Sequence, residues 1–428
     1  MNYIESVNYI HSLLKFGIRP GLAGMGALLR FLGNPEKDLK YVHVAGTNGK
    51  GSTSTAISNV LVDAGYRVGL YTSPYVTEFL ERVQFGGSPV DKELFANSVK
   101  KVKSAVVELE KQGIIITEFE ALTAAAFICF NELKCDLVVL EVGLGGRLDA
   151  TNVITTPLVN VITSLSIDHS AILGDTIEEI AFEKCGTIKK EGNIVCSFGQ
   201  PEGALDVIKK TADENNNALT IPCEDDIAIT KSDVFGTAFE YKKQDFFVKM
   251  PGLHQVKNMT CVIECCNLLK TQFNITDINI KNGISKTVLP ARIEVISRKP
   301  LVILDGGHNE DGAKAFYDTV SPHLKNYKRV IVIAGMMADK NVEASLKPLM
   351  SVCDVFFAVT PDNPRAMKGS DLAQIASKYA PKVFNVLDVK QALNISGAAV
   401  DDSDALLVVG SLYLAGEVRQ NLLELFEN

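Results

Sequence analysis

Residues 41–53 read Tyr41-Val42-His43-Val44-Ala45-Gly46-Thr47-Asn48-Gly49-Lys50-Gly51-Ser52-Thr53, and this stretch decides the fold. The β-branched run at 41–44 reads as a buried strand. A glycine-rich turn follows, and Ala56, Ile57, Val60 and Leu61 then recur at helical spacing. Strand, glycine turn, lysine and helix N-terminus are the parts of a phosphate cradle. Glycines let the backbone approach the oxygens, amide N–H groups point inward, and the helix dipole favours negative charge. Lys50 is placed to reach the outer phosphates, and Ser52 or Thr53 to offer a hydroxyl to Mg²⁺. The spacing departs from the usual phosphate-loop rule, because Val44 stands where the first glycine belongs and Gly51 where Ser or Thr follows the lysine. A plain glycine turn is the alternative, yet such a turn does not call for a lysine between two glycines at a helix start.

The sequence around the loop predicts an α/β protein. A chain of 428 residues exceeds what one core usually supports, so two or three domains are expected. Strands are predicted at 67–71, 136–140 and 158–163, alternating with helices at 91–112 and after Thr117. Such alternation indicates a mostly parallel sheet covered on both faces. An amphipathic helix is expected at 2–15. Residues 192–250 change character, and short runs at 227–229 and 246–248 suggest a small antiparallel subdomain. A helix fits 254–271. Strands at 301–304, 330–334, 355–359 and 406–409 then form a second, Rossmann-like α/β domain, with a hinge expected at 293–300. The expected division is 1–294 for an ATP-binding domain and 295–428 for a C-terminal domain.

Composition narrows the function classes. Hydrophobic residues make up 46% and charged residues 22%, as in an ordinary globular protein. A net charge of −8 argues against a nucleic-acid carrier or a membrane-surface binder. No stretch is apolar for long enough to predict a transmembrane helix. The nine cysteines include no C-x-x-C pair; Cys261, Cys265 and Cys266 lie in a helix-like stretch and read as buried thiols. Their odd number, with an N-terminus lacking a basic region and apolar run, predicts a cytoplasmic setting.

Ligands bind at the carboxyl ends of strands in open α/β sheets. Ser73 follows one predicted strand, Glu141 ends another, and His169 follows a third. Each has an ordinary reading alone: a turn residue, a paired carboxylate, a loop histidine. Their common edge favours a metal site, although imidazole is atypical for Mg²⁺. Lys184, in the predicted helix 177–184, reads physically as a solvated helix lysine. Asp305 ends a strand, where it could accept from a ribose hydroxyl or form an Asx turn. His308 is a candidate substrate contact, and Gly410-Ser411-Leu412-Tyr413 a weaker one.

These blocks together resemble the folylpolyglutamate synthase / dihydrofolate synthase family of the Mur-ligase superfamily. The motifs are the 46–52 loop, Tyr71-Thr72-Ser73-Pro74, Thr117-Glu118-Phe119-Glu120, the run from Glu141 to Asn152, Asp168-His169, Leu173-Gly174-Asp175-Thr176 and Phe182-Glu183-Lys184. The match extends to Gly410–Arg419, nearly the whole chain, and the unusual loop spacing is the family's usual form.

The resemblance implies an ATP-dependent ligase that adds L-glutamate to dihydropteroate or a reduced folate through an acyl phosphate. It implies that Gly49, Lys50, Gly51 and Ser52 hold the ATP phosphates and that Asn258, Arg292 and Asp305 contact the nucleotide. Ser73, Glu141 and His169 would bind Mg²⁺, two ions in all, and Lys184 would be carbamylated by CO₂. Thr117, Glu118 and Phe119 match the pterin-facing segment, and His308 and Ser411 positions near the incoming glutamate. Lys50, Lys184 and His308 are the implied catalytic residues, and a monomer is implied. Four positions depart from the family pattern: Tyr75 where His often stands, Ala291 for Gly, Gly307 for Ala and Glu310 for Pro. The alternatives are a Mur-type ligase acting on a non-folate carboxylate and a nucleotide-binding switch without ligation.

Overall fold

A computed structural model describes residues 1–155, 157–386 and 388–426. The chain packs as two compact units. One comprises Met1–Ile227 with Lys257–Thr287, and the other Ala228–Val256 with Val288–Asn428.

The first unit is built on an eight-stranded sheet. Its strands are β1 (Tyr41–Ala45), β2 (Val68–Tyr71), β3 (Val83–Phe85), β4 (Ser88–Pro89), β5 (Leu137–Glu141), β6 (Val159–Ile162), β7 (Asn193–Cys196) and β8 (Ala218–Thr220). The order is β4-β3-β2-β5-β1-β6-β7-β8. All pairings from β2 to β8 are parallel; β3 and β4 add an antiparallel edge. β1 and β5 are buried along their whole length. That explains why they read as continuous apolar runs rather than as alternation.

The helix Glu118–Glu132 is almost wholly buried, which suits its apolar residues on every side. Thr117 is its N-cap: its hydroxyl accepts from the Glu120 amide, while the Glu120 carboxylate takes the Thr117 N–H at 2.8 Å. Phe127 and Phe130 are fully buried in the core it shares with the helix Lys92–Glu110, each contributing roughly 1.5–3 kcal/mol. The expected helix at 2–15 is an α-helix over Tyr3–Ser12 followed by a 3₁₀ turn, Leu13–Phe16. All nine thiols are free; eight, including Cys261, Cys265 and Cys266, are buried, and Cys223 is exposed.

The second unit contains a three-stranded sheet of β9 (Ile227–Asp233), β10 (Gly236–Tyr241) and β11 (Gln244–Val248), where the small antiparallel subdomain was expected. Its larger sheet has the order β12-β13-β17-β14-β15-β16. These strands are β12 (Glu294–Arg298), β13 (Leu301–Leu304), β14 (Val330–Ala334), β15 (Val355–Ala358), β16 (Val383–Asn385) and β17 (Ala405–Val409). They run parallel except β12, which pairs antiparallel with β13. The hinge expected at 293–300 is therefore corrected: most of it is an edge strand. Its Glu294, Ser297 and Arg298 gave it a loop-like composition, as edge strands often have. Among the described residues no helix is long and apolar enough to cross a membrane.

Candidate active site

The order β2-β5-β1-β6 sets four parallel strand ends side by side. Ser73 follows β2, Glu141 is the last residue of β5, the glycine loop follows β1, and Asp168-His169 follows β6. Ser73, Glu141 and the glycine loop thus stand at the carboxyl ends of three adjacent strands, where open α/β sheets place their ligands, and Asp168-His169 follows the fourth.

The loop after β1 is held in a fixed shape. The Thr47 and Asn48 amides both donate to the Ser164 carbonyl, at 2.9 and 3.2 Å. The Thr47 hydroxyl donates to the Ser166 carbonyl and accepts from the Ser166 amide. Gly49 caps the helix Lys50–Asp63 in the left-handed region, at φ +89°, with the Asn258 carboxamide directly against it. A Cβ on Gly49 would lie 2.9 Å from Asn258 Cγ, and one on Gly46 3.0 Å from Thr163 Cβ. Gly49 caps the helix without a side-chain acceptor, and a helix N-terminus of this kind favours an anion. Gly49→Ala is expected to lower stability by about 1–3 kcal/mol, through strain and displacement of Asn258, and denaturant unfolding checks it.

Two lysines converge on this loop. Lys50 Nζ donates to the Gly46 and Thr47 carbonyls, each at 3.1 Å. Lys184 Nζ donates to the same Gly46 carbonyl at 2.9 Å. Lys184 is only 4% exposed, which corrects the expectation of a solvated helix lysine. Its helix, Ile177–Cys185, lies beneath the 143–149 loop, where the Arg147 amide donates to the Glu183 carbonyl at 2.7 Å. Burial, reinforced by the Lys50 charge and opposed by Asp168 and Asp149, pulls the Lys184 ammonium down to about 7.

Glu141 is 3% exposed, and its Oε2 accepts the Ser73 amide at 3.2 Å. Ser73 and Glu141 are therefore brought together. His169 stands exposed at φ +55°, its amide on the Asp168 carboxylate, after β6, which β1 separates from β5. A buried carboxylate beside a hydroxyl-bearing residue is an oxygen-rich set that fits Mg²⁺, which completes its shell with water and phosphate oxygens. Among the described residues no group of three or more His, Cys, Asp or Glu could hold a metal ion.

Thr117, Glu118 and Phe119 lie at the start of their helix with much of their bonding already committed. Glu118 pairs with Arg82 at 2.8 Å, both sheltered from solvent. The Phe119 ring sits 5.8 Å from the Tyr71 ring and 5.7 Å from the Arg82 guanidinium. Arg82 was missed by sequence reasoning, as was a buried chain beneath the 143–149 loop. There Thr151 Oγ1 donates to Asp149 at 2.6 Å and shares a 2.9 Å bond with His43 Nε2. Burial draws His43 down to about 3, so this histidine is neutral and donates from Nε2. Asp149 spends its other oxygen on the Leu144 amide, and burial raises its pKa. The Asp-Ala-Thr sequence carried an Asx-turn signal that could have flagged it.

In the second unit, β13 and β17 are adjacent, so Asp305–His308 and Gly410-Ser411 leave neighbouring strand ends. Asp305 makes the Asx turn: its oxygens take the Gly307 amide at 2.8 Å and the Ile293 amide at 2.9 Å. Burial raises its pKa, opposed first by Arg292. Ser411 is buried and its hydroxyl accepts from the Leu414 amide, capping the helix Leu412–Phe426. The half-buried His308 ring lies 3.4 Å from the Gly306 carbonyl.

The Mur ligase middle domain family matches residues 44–266, and the Mur ligase glutamate ligase domain family residues 291–412. The chain is 37% identical to the dihydrofolate synthase/folylpolyglutamate synthase of Bacillus subtilis (strain 168), over 98% of this chain and 99% of that protein. It belongs to the folylpolyglutamate synthase / dihydrofolate synthase family. It is also 35% identical to the folylpolyglutamate synthase of Lacticaseibacillus casei, over 99% of each chain. The Escherichia coli FolC structure in complex with DHPP and ADP matches with a TM-score of 0.86 at 29% identity, covering 99% of this chain and 98% of that one.

Ala291, where the resemblance leads us to expect glycine, is fully buried at φ +54°. The left-handed conformation costs alanine roughly 1–2 kcal/mol. Its buried methyl returns about 0.8 kcal/mol, and a glycine would add chain entropy to the unfolded state. The effects nearly cancel, so Ala291→Gly should change the unfolding free energy by less than about 1 kcal/mol in a denaturant titration.

Proposed function

We propose that this member of the folylpolyglutamate synthase / dihydrofolate synthase family is an ATP-dependent ligase joining L-glutamate to a folate-type carboxylate, either dihydropteroate or a reduced folate. The observation that supports the reading is the glycine loop bonded by buried Lys184, with the Ser73 amide on Glu141, at the carboxyl ends of parallel strands of one sheet. A substrate carboxylate attacks the γ-phosphorus of ATP, ADP leaves, and an acyl phosphate forms. The glutamate amine then attacks the acyl carbon, loses a proton, and phosphate departs with its bonding electrons. No covalent enzyme nucleophile is required.

Positioning and electrostatics supply most of the catalysis in phosphoryl transfer. Gly49, Lys50, Gly51 and Ser52 are assigned to the phosphates, with Lys50 balancing charge on the transferred group. Asn258, Arg292 and Asp305 are assigned to the rest of the nucleotide. Ser73, Glu141 and His169 would hold Mg²⁺, two ions being expected, and the bound metal would supply charge neutralisation at the phosphoryl oxygens. A buried lysine amine with a depressed pKa is the form that adds CO₂, which supports carbamylation of Lys184. Thr117, Glu118 and Phe119 are assigned to the pterin, and His308 and Ser411 to the incoming glutamate. We assign the ATP-binding role to 1–294 and the glutamate role to 295–428, in a cytoplasmic monomer.

The test is glutamate-dependent ADP release with Mg-ATP, run in parallel on 7,8-dihydropteroate and a reduced folate monoglutamate. Release with both substrates makes the enzyme bifunctional, and release with one assigns the single reaction. Folded, ATP-binding protein that releases ADP with neither would overturn the folate assignment in favour of a non-folate carboxylate.

A further inference from the structure

The segment between β2 and β3 carries Ser73 at its start and Glu81-Arg82 at its end. One side chain holds its middle. The Glu81 carboxylate accepts three consecutive backbone amides: Val76 at 2.8 Å on Oε2, and Thr77 at 2.9 Å and Glu78 at 2.7 Å on Oε1. Charge-assisted bonds of this kind are short and strong, and three on one carboxylate fix the path of the chain. The two ends are tied as well. The Thr72 hydroxyl donates to the Glu81 carbonyl at 3.0 Å, and the Thr72 amide to the Arg82 carbonyl at 3.1 Å. Ser73 stands between this closure and its own amide bond to Glu141. The Arg82 side chain continues the line to Glu118 and the face of Phe119.

We infer that Glu81 is a positioning residue for the ligation reaction, holding the 72–82 segment so that Ser73 stays beside Glu141 while Arg82 grips Glu118 and Phe119 at the start of their helix. The inference rests on the reading of Ser73 as a Mg²⁺ ligand. Glu81 touches no reacting group; it acts through the backbone it folds. Its carboxylate does more than close the capping box on the Glu78 amide, because it also takes the Val76 and Thr77 amides, five and four residues earlier, in irregular chain that no strand or helix organises. Without that carboxylate the three amides turn to solvent, and the segment is free to move Ser73 away from the β5 end.

The test uses the full chain carrying Glu81→Ala, Glu81→Gln or Ser73→Ala. Hydrogen exchange of the Val76, Thr77 and Glu78 amides is followed without metal or nucleotide. Glu81→Ala should accelerate those amides at least tenfold and leave β5 unchanged. It should raise the apparent KM for Mg²⁺ about tenfold and lower kcat by a similar factor, while metal-free ADP binding stays within twofold. Glu81→Gln, whose amide oxygen still accepts, should recover part of both the protection and the Mg²⁺ affinity, and it serves if the alanine variant does not fold. Unchanged exchange at 76–78 overturns the inference. So does faster exchange with unaltered Mg²⁺ dependence and kcat, since that is mere local structure. Ser73→Ala separates the two ideas: an unchanged Mg²⁺ dependence there removes the ligand reading, whatever Glu81 does to the exchange rates.

Discussion

Replacing Lys50 by alanine is expected to lower turnover by at least about 10³-fold, equivalent to roughly 4 kcal/mol of transition-state stabilisation. This ammonium donates to the Gly46 and Thr47 carbonyls and is half-sheltered from solvent. Those two bonds are worth little to stability, about 1 kcal/mol each at most, because solvent can replace them. The loss should therefore fall on kcat, with a melting temperature close to that of the parent. Nucleotide affinity should weaken less, on the order of tenfold, since the loop amides and helix terminus remain. Lys50→Arg should recover little, because a planar guanidinium does not occupy the place of a compact ammonium. Glutamate-dependent ADP release measures the first effect and calorimetric ADP titration the second. Ordinary ligation by Lys50→Ala would sink the assignment of this loop to ATP.

Lys184→Met is expected to abolish ligation, again by at least about 10³-fold, and yet to make the protein more stable at neutral pH. The stability effect follows from the buried amine. Its pKa is about 7 in the folded chain against 10.5 when exposed. Below about 7 both states carry the proton, and the cost of burying the charge is constant. Between about 7 and 10.5 the unfolded chain holds a proton that the folded chain has released, so folding stability climbs with pH. The climb approaches 1.4 kcal/mol per pH unit as an upper limit. Methionine has no proton to lose and removes that slope. The Gly46 carbonyl loses a donor, at about 1 kcal/mol, which is smaller than the burial cost relieved. In CO₂-free protein, where Lys184 is the free amine, the variant's advantage should thus be largest near pH 6–7 and shrink toward pH 10 in chemical unfolding curves. Equal destabilisation at both ends would mean that the amine sits comfortably charged. Activity of the parent should rise across pH 7 as the amine loses its proton, and a carbamate carbon signal from ¹³C-labelled CO₂ should be present in the parent and missing in the variant.

Much of this architecture was legible because buried parallel strands announce themselves. Leu137–Glu141 and Leu301–Leu304 are short apolar runs closed by a polar residue, and each polar residue fell at a strand end where ligands gather. The short strands β8 and β16 and the edge strand β12 were not legible, since half-exposed edges lack a strong pattern. Lys184 shows the limit of periodicity. Residues 177–184 read as a helix, correctly, but which flank of a helix is covered depends on a loop distant in sequence, here 143–149. Family resemblance flagged that lysine where local physics preferred solvent. Glu81 and His43 were invisible for a related reason: their partners, backbone amides in one case and Thr151 in the other, acquire meaning only after the chain is folded.

The distribution of thiols has a practical consequence for experiment. Eight of the nine cysteines are buried, several with burial pushing the thiol up to about 12, for example Cys129 and Cys266. Thiol-directed dyes need an accessible thiolate. The parent protein, without mutagenesis, should therefore accept one fluorophore under native conditions, at Cys223, and eight more only after denaturation. Cys223 lies just ahead of Ile227, where the chain first leaves one compact unit for the other. A dye there would label the native polypeptide at the crossing between its two compact units.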